Sequence, residues 1–306
     1  MQKIALIATV FNEGDAVFPW AKSLRAQTRR PDEFVIVDGG STDGTPERLR
    51  QAFSHGDFPM PRIIIEKCNI ARGRNLAFKN TTADIVASID AGSVATERWL
   101  EKVVEPLFEQ PDVHAVGGWR PLRLENEFQK RIGRYCCFPR DRWPVGAMCD
   151  PSGGNIAFRR HAFEAAGGFP EWLTFAGEDF LFNATMNRIG FPIYYQPDAL
   201  TLWEGRSNWR SYAVMVRRYG YGLGEMQVFP KNYWAWMLTT LVPPLILFSK
   251  NPLRDAWLRW LRNANSVWGW FTGRIFGHRP PPGWEFVDGY WFGPGAMAVM
   301  RAREKK

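Results

Sequence analysis

Short β-rich runs alternate with polar, helix-compatible stretches over the first 120 residues, and this rhythm constrains the fold more than any other feature. The strand-like runs are KIALIATV, EFVIVDGG, RIIIE, ADIVASID and HAVGGW. Between them, helices are predicted over residues 16–27, 45–53, 73–79 and 96–108. Such alternation is typical of βαβ units. We therefore predict an α/β fold with a mostly parallel, Rossmann-like central sheet flanked by helices.

Polar side chains follow the strand-like runs at the points where they end. Asn12, Asp38 and Asp90 each close a run. In open parallel sheets, ligands bind beyond the carboxyl ends of the strands. Within the VDGGSTDGT turn, glycine permits close approach of a ligand, and Asp38 and Asp43 can accept hydrogen bonds from ribose or a base. The alternative is a polar turn that caps a helix, with Asp43 or Thr45 as the N-cap.

Two further motifs carry charge at predicted helix starts. In ARGRNLA, Arg72 and Arg74 open a helix, where forked guanidinium donors and the helix dipole suit a diphosphate. The alternative is that both are solvated surface charges. In GEDFLFN, Glu178 and Asp179 begin a helix predicted over residues 178–188. Acidic residues also favour a helix N-terminus, a role compatible with catalysis.

The motifs, taken in order, resemble family 2 glycosyltransferases of the GT-A fold across residues 4–222. They are TVFNEG, VDGGSTDGT, ARGRNLA, SIDAGS, GGNIAFRR and GEDFLFN. The resemblance implies inverting transfer from a UDP- or GDP-sugar to a hydroxyl of a saccharide or lipid-linked acceptor. It also implies nucleotide-sugar contacts at Thr9, Phe11, Asn12, Glu13, Asp38, Asp43, Arg72, Arg74, Asp90, Ala91 and Gly92.

The resemblance also assigns catalytic and acceptor-side residues. Inversion by direct displacement requires one base beside the acceptor hydroxyl, and Asp179 matches the family's base. Glu178 would position that base or touch the acceptor. Asn155 would be a polar contact for the acceptor. Trp119 would either offer a stacking face to a sugar or be a buried core residue. Arg217 and Arg218 would contact the pyrophosphate or close over the donor, and the alternative is that they are surface charges. The acceptor-side candidates are Trp119, Gly154, Asn155, Arg217 and Arg218.

A divalent metal, Mg²⁺ or Mn²⁺, is implied by the family's DxD element, in which Asp90 corresponds to the first carboxylate. Here the element reads Asp90-Ala91-Gly92 and lacks its final acid. The metal would neutralise the charge of the pyrophosphate leaving group. Without the second acid, either another ligand holds the metal, or arginine neutralises that charge, or the activity is weak. Ser93 or a water is the alternative ligand in place of the missing acid. Many relatives also carry a His near the position of Trp203, and Glu204 is the alternative ligand in its place.

The chain divides, on this interpretation, into a GT-A domain at 1–228 and an amphipathic region at 229–306. The domain comprises a nucleotide-sugar half at 1–120 and an acceptor half at 121–228. Eight of the 15 Trp residues lie between Trp234 and Trp291. The uncharged run 233–249 contains two adjacent prolines, so we do not expect it to span a bilayer.

Residues 250–279 combine Trp at helical spacing with several Arg, which favours a helix lying on a membrane surface. The alternative is two amphipathic helices packed on the catalytic body or in a homodimer interface.

The net charge of +8 is compatible with nucleic acid, anionic lipid or a phosphorylated substrate. Nucleic acid is disfavoured, because the arginines are scattered through turns and the aromatic residues gather in apolar runs. Four Cys without CxxC spacing and an N-terminus unlike a signal peptide predict a cytoplasmic protein. The Trp- and Arg-rich C-terminal region would make it peripheral on the inner face of the cell membrane. A sugar nucleotidyltransferase and a degenerate, non-catalytic glycosyltransferase remain the alternatives.

Overall fold

Over the first 120 residues the predicted strands and helices appear in the predicted order, with one additional strand at Ser93–Ala95. A computed structural model describes residues 2–54, 58–248 and 255–305. Its strands are β1 (Ile4–Val10), β2 (Glu33–Asp38), β3 (Arg62–Ile65), β4 (Ile85–Asp90), β5 (Ser93–Ala95), β6 (Ala115–Trp119), β7 (Asn155–Arg159), β8 (Ile193–Trp203), β9 (Glu285–Val287) and β10 (Tyr290–Phe292).

The helices lie between and after these strands. They are α1 (Val17–Arg25), α2 (Thr45–Ala52), α3 (Ile70–Lys79), α4 (Trp99–Glu109), α5 (Glu127–Cys136), α6 (Arg160–Ala166), α7 (Glu178–Arg188), α8 (Trp209–Glu225), α9 (Tyr233–Leu241), α10 (Ala256–Phe276) and α11 (Pro294–Glu304). Short 3-10 turns occupy Gly14–Ala16 and Pro243–Phe248.

The central sheet has the strand order β3-β2-β1-β4-β7-β6-β8-β5. Strands β1 to β4 pair in parallel, β6 pairs in parallel with β8, and β7 runs antiparallel between β4 and β6. The predicted α/β class with a mostly parallel sheet is confirmed. Thr9 pairs with Asp90 and Val10 with Asp38, so the ends of three strands meet at one edge.

The sheet is buried on both faces, which explains why β1 reads as a nearly continuous apolar run. Leu6 and its neighbours on one face pack in a cluster with Trp20 and Trp99. Ile7 faces the other layer, which contains Phe158. Both layers therefore hold the strand ends in fixed positions.

Helix boundaries differ from the predicted ones mainly at the N-termini. α3 begins at Ile70 rather than at residue 73, because the Asn69 side chain caps it by accepting a hydrogen bond from the Arg72 N–H at 2.9 Å. α4 begins at Trp99 rather than at 96, since the Thr96 N–H is bonded to the Leu200 carbonyl. α7 matches its predicted range, and β5 was not predicted.

The C-terminal region is packed on the body rather than separate from it. A Cβ added at Gly220 would collide with the Ser266 carbonyl oxygen, and one at Gly269 would collide with that of Arg217, so α8 and α10 are in backbone contact. Phe292 and residues of α11 join the core layer on β1. This matches the alternative of helices packed on the catalytic body.

Part of the predicted surface helix, residues 250–254, lies outside the described residues. In the part of the chain that the structure describes, none of the helices has the length and apolar character required to cross a bilayer.

Candidate active site

The end of β2 supplies a buried carboxylate. The Asp38 side chain has 0% exposure, and its Oδ1 accepts hydrogen bonds from the N–H groups of Gly40 at 2.9 Å and Ser41 at 2.6 Å. Its Oδ2 is buried without a hydrogen-bond partner among the described residues. An unpaired buried acceptor costs free energy, so a ligand N–H would be favoured there.

The turns after β1 and β2 are tied together. Asn12 adopts a left-handed backbone with φ of 53°, and its side-chain oxygen accepts from the Thr42 N–H at 2.9 Å. Asp43 Oδ1 accepts from the hydroxyl of Thr45 at 2.6 Å and from its N–H at 3.1 Å, and these bonds lower the pKa of Asp43. Asp43 thus stabilises the start of α2, as the capping alternative predicts, although the N-cap residue is Gly44.

Around β1 the other predicted donor contacts differ in exposure. Phe11 is exposed, whereas Thr9 is half-buried and lies against α3, where a Cβ at Gly73 would come within 2.9 Å of its methyl group. Glu13 is half-buried; burial, followed by the charges of Asp90 and Glu204, raises its pKa to about 7. Glu13 therefore changes charge near neutral pH beside the strand ends.

Arg74 is the buried centre of the site. Its Nη2 lies 2.7 Å from Asp90 Oδ1, and its Nη1 lies 2.8 Å from Glu178 Oε1. α3, β4 and α7 are thereby joined through one guanidinium. Burial opposes ionisation of Asp90, but the charges of Arg74 and Arg120 hold the pKa of Asp90 below its usual value. Arg74 is thus not the solvated charge of the alternative interpretation.

Arg72, by contrast, is exposed and lies apart from this network. Its guanidinium pairs with Glu66 at 2.5 Å and Glu171 at 3.4 Å. The surface-charge alternative describes Arg72 well.

Arg120 is a site residue that the sequence did not reveal. It follows β6 directly, and its Nη2 lies 3.2 Å from Asp90 Oδ2. Its Nε donates to Ser93 Oγ at 3.0 Å and its Nη1 to Ser152 Oγ at 2.7 Å. The available signal was a basic residue immediately after a buried strand that ends at the same edge of the sheet.

The oxygens predicted to hold a divalent metal are engaged by these cations. Asp90 is paired through both oxygens, to Arg74 and to Arg120. Ser93 Oγ accepts from Arg120, and Gly92 contributes no side chain. A hard divalent cation requires several oxygen ligands, and two guanidiniums on the only acid of the element compete with it.

The remaining alternative ligand, Glu204, is paired with Arg123 at 3.2 Å. Over residues 2–54, 58–248 and 255–305, no three His, Cys, Asp or Glu side chains form a group able to hold a metal ion. The residues around Asp90 therefore do not fit a divalent metal, and the predicted role of Asp90 as a metal ligand is not supported.

Asp179 lies in the first turn of α7, half-buried, beside the network of Arg74. Its Oδ2 is 3.4 Å from the Gly153 N–H, and its Oδ1 accepts from the Phe180 N–H at 2.8 Å. Burial and the neighbouring Asp179 charge raise the pKa of Glu178 to about 7, although Arg74 opposes this. Among the ion pairs of the described residues, none involves Asp179, although its charge acts on the nearby Arg74 guanidinium.

The loop before β7 approaches the network closely. A Cβ added at Gly154 would overlap the carboxylate of Asp90, and one at Gly153 would lie 2.6 Å from a terminal nitrogen of Arg74. Glycine is thus required where the loop crosses these charges.

Asn155 lies behind this loop rather than in the cleft. It is fully buried, and its Nδ2 donates to the carbonyls of Trp119 and Ala199, both at 3.0 Å. Its Oδ1 accepts from Trp99 Nε1 at 2.8 Å. The predicted contact of Asn155 with an acceptor is therefore wrong, because its amide is fully used inside the protein. Trp119 is half-buried, and its Nε1 donates to the Phe138 carbonyl at 3.0 Å.

Helix α8 forms a wall beside the segment that precedes Asp179. Arg217 and Arg218 are both exposed there, and the Arg218 guanidinium lies 5.3 Å from the centre of the Phe175 ring. Tyr219 follows on the same helix and is half exposed. The helix therefore places one of the two predicted cations, Arg218, beside the segment that precedes Asp179.

Comparison with known proteins decides the family. The sequence matches Glycosyl transferase family 2 over residues 5–167. The chain belongs to this family. Membership of this family favours glycosyl transfer over the nucleotidyltransferase alternative.

Curated relatives of this chain include poly-beta-1,6-N-acetyl-D-glucosamine synthases. The protein of Staphylococcus aureus (strain MSSA476) is 22% identical over 278 residues, which cover 84% of this chain and 63% of that protein. The Staphylococcus epidermidis protein is 21% identical with the same coverage. The chain thus spans somewhat less than two thirds of the length of these relatives.

A solved structure shares the fold. It is the mannosyltransferase PcManGT from Pyrobaculum calidifontis in complex with GDP-Man and Mn²⁺, with a TM-score of 0.57 and 20% sequence identity. The match covers 99% of this chain and 75% of that one. The predicted GT-A fold is confirmed.

Proposed function

We propose that this glycosyltransferase moves a sugar from a UDP- or GDP-sugar to an acceptor hydroxyl with inversion, using Asp179 as the general base. The observation that carries this proposal is the contrast between adjacent carboxylates. Glu178 is buried on Arg74, whereas Asp179 is half-buried and forms no ion pair among the described residues. A base must be free to accept a proton from its substrate.

The donor would occupy the edge formed by β1, β2 and β4. The unpaired Oδ2 of Asp38 offers an acceptor for a base N–H, and Asp90 lies where β4 ends beside Thr9. Arg74 and Arg120 place positive charge at the same edge. This arrangement supports a nucleotide with a diphosphate, and the curated relatives support a saccharide acceptor in polysaccharide synthesis.

The transfer is a single displacement. As the acceptor oxygen bonds to the anomeric carbon, its proton passes to Asp179, and the bond from that carbon to the phosphate oxygen breaks. The electron pair leaves with the nucleoside diphosphate. Because the base and the leaving group lie on opposite faces of the sugar, the configuration inverts.

Product stereochemistry tests the proposal. Purified protein would be incubated with UDP- and GDP-sugars and with saccharide or polyprenyl-phosphate acceptors, and the product anomer would be read by NMR. We expect a nucleoside diphosphate and a product of opposite anomeric configuration to the donor. A product of retained configuration would contradict the mechanism.

We further propose that the C-terminal region contacts a membrane surface, which would favour a lipid-linked acceptor. The helix α10 buries mostly polar or small residues against the body, among them Arg259, Asn263 and Ser266. Apart from Trp270, its aromatic residues are exposed, with Trp268 61% and Phe276 75% exposed. Outward apolar groups of this kind are typical of interfacial helices.

Other exposed apolar residues of the region lie on α10 and outside it. They are Trp234, Leu238, Leu241, Val242, Leu247, Trp257, Trp260, Phe271, Ile275 and Phe286. Exposed Arg279 follows the helix, where it would meet anionic headgroups. We take this concentration of exposed apolar residues as the site of contact.

Vesicle binding tests this contact. We expect the protein to co-float with phosphatidylglycerol vesicles, and a Trp268→Ala/Phe276→Ala variant to lose most of that binding at unchanged stability. Met60→Ala, which removes an equally exposed apolar residue from the nucleotide half, is the matched control. Equal binding by all three proteins would contradict a membrane role for this face.

A further inference from the structure

The cleft edge contains a fixed cation where the family's metal element is incomplete. We propose that the Arg120 guanidinium, and not a divalent cation, neutralises the diphosphate that leaves during transfer. This inference rests on the proposed glycosyl transfer. It concerns one residue, Arg120, whose contacts with Asp90 and Ser93 occupy the oxygens that a metal would need.

Arg120 is held rigidly by three partners on three segments. Ser93 fixes Nε, Ser152 fixes Nη1, and Asp90 fixes Nη2. A guanidinium carries five N–H donors, so each terminal nitrogen keeps one hydrogen beyond these bonds. The guanidinium also lies 5.4 Å from the centre of the Trp203 ring, which further restricts its motion.

The side chain is positioned to meet a ligand. Arg120 is 16% exposed, whereas Arg74 is 2% exposed and already joins two carboxylates. Arg74 is therefore structural, and Arg120 is the guanidinium with both spare donors and access to the cleft. Forked donors of this geometry match phosphate oxygens.

A preorganised guanidinium can do the electrostatic work assigned to a metal. As the bond to the sugar breaks, negative charge develops on the phosphate oxygens, and a fixed cation nearby stabilises that charge without reorganising. A divalent cation entering beside Asp90 would have to displace Arg120 from both Asp90 and Ser93. The two cations would repel strongly at such short separation.

Gly92 provides a way to reverse this arrangement. A Cβ added at Gly92 meets no atom within 4 Å, so an acidic side chain fits at the position that the family's second acid would occupy. Combining Gly92→Asp with Arg120→Met supplies a carboxylate pair and removes the competing cation. Gly92→Asn with Arg120→Met has the same size without the added charge and is the matched control.

The experiment measures transfer and, separately, calorimetric binding of UDP and GDP, each with excess EDTA or excess Mn²⁺. For the wild-type protein we expect the transfer rate and the nucleotide affinity each to differ by less than about threefold between EDTA and Mn²⁺. Arg120→Met should lose transfer by about 10²-fold, as when one preorganised donor is removed. Arg98→Met, which removes an exposed arginine elsewhere, should retain activity. The Gly92→Asp/Arg120→Met protein should gain at least tenfold in nucleotide affinity from Mn²⁺, and the Asn control should not.

The outcomes separate the inference from the proposed function. Wild-type transfer that disappears in EDTA and returns with Mn²⁺ overturns the inference and leaves glycosyl transfer intact. If no transfer occurs with either EDTA or Mn²⁺, the proposed function fails. The nucleotide affinities of the wild-type and Arg120→Met proteins then still test the role of Arg120. A wild-type nucleotide affinity that rises tenfold with Mn²⁺, or one unchanged by Arg120→Met, overturns the inference.

Discussion

The nucleotide half and the C-terminal region use the same residue type in opposite ways. Trp20 and Trp99 are fully buried between the sheet and its helices. Trp234 and Trp268 are 70% and 61% exposed, while the charged Asp255 at the start of α10 is fully buried. These tryptophans are thus core residues in the first region and surface residues in the second. This difference is one of the observations behind the proposed membrane contact.

The buried charge in the C-terminal region has a defined compensation. Asp255 lies 2.9 Å from the Arg131 guanidinium and 3.4 Å from that of Arg134, both on α5. A buried carboxylate is tolerated when it is paired in this way. The polar contacts of α10 therefore dock it on the body, so its aromatic face remains available.

Substituting one tryptophan in each region should give the largest difference in stability between the two regions. Trp99→Ala removes a buried side chain and the hydrogen bond to Asn155, so the free energy of unfolding should fall by about 3–5 kcal/mol. Trp268→Ala should change it by less than about 0.5 kcal/mol, because the indole is largely solvated. Chemical denaturation of both variants checks this. Similar losses in the two would show that Trp268 is a core residue.

Substituting a glycine between α8 and α10 should have the next largest effect. In Gly269→Ala the added methyl would collide with the Arg217 carbonyl, so we expect a loss of about 1–3 kcal/mol. Gly133→Ala, in α5, is the matched control, since its Cβ would meet only Leu124 and Leu122 at 3.5 Å and beyond. That control should be neutral or slightly stabilising. If both variants were equally stable, the helix pair would not be in backbone contact.

The smallest expected effect concerns Glu13, and it depends on pH. The pKa of Glu13 is about 7 in the folded protein and about 4.3 when unfolded. A raised folded pKa contributes stability that is present below pH about 4.3 and lost as the pH rises through about 7. Glu13→Gln should therefore raise the free energy of unfolding more at pH 8 than at pH 5, by about 1 kcal/mol once the full linkage value is discounted for the partial exposure of Glu13. Denaturation at both pH values measures the difference, and an equal effect at each would contradict it.

The sequence predicted the nucleotide half well because its signals are local. Strand-end polar residues and the charged start of α7 are visible within a few residues, and β1, β2 and β4 do meet at one edge. Arg120 was missed because its pairing with Asp90 depends on β6 lying two strands from β4, with β7 between them. Such an order cannot be read from spacing.

The C-terminal region was harder to predict for a related reason. Helical spacing identified the aromatic residues of α10 but not which face is buried. That choice depends on glycines in α8 and α10 that lie far apart in the sequence and allow backbone contact in the fold. The prediction for Asn155 was wrong for the same reason, because its three hydrogen-bond partners come from distant segments of the chain.

The most direct test of the account is the activity of Asp179→Asn compared with Asp150→Asn. Both changes are isosteric, and Asp150 is a carboxylate whose pKa is raised by burial and then by the Asp179 charge. Release of nucleoside diphosphate in the presence of acceptor should fall by at least about 10³-fold in Asp179→Asn and by less than about tenfold in Asp150→Asn, with nucleotide affinity unchanged in both. Retained turnover in Asp179→Asn with bound nucleotide would contradict the central claim that this carboxylate accepts the acceptor proton.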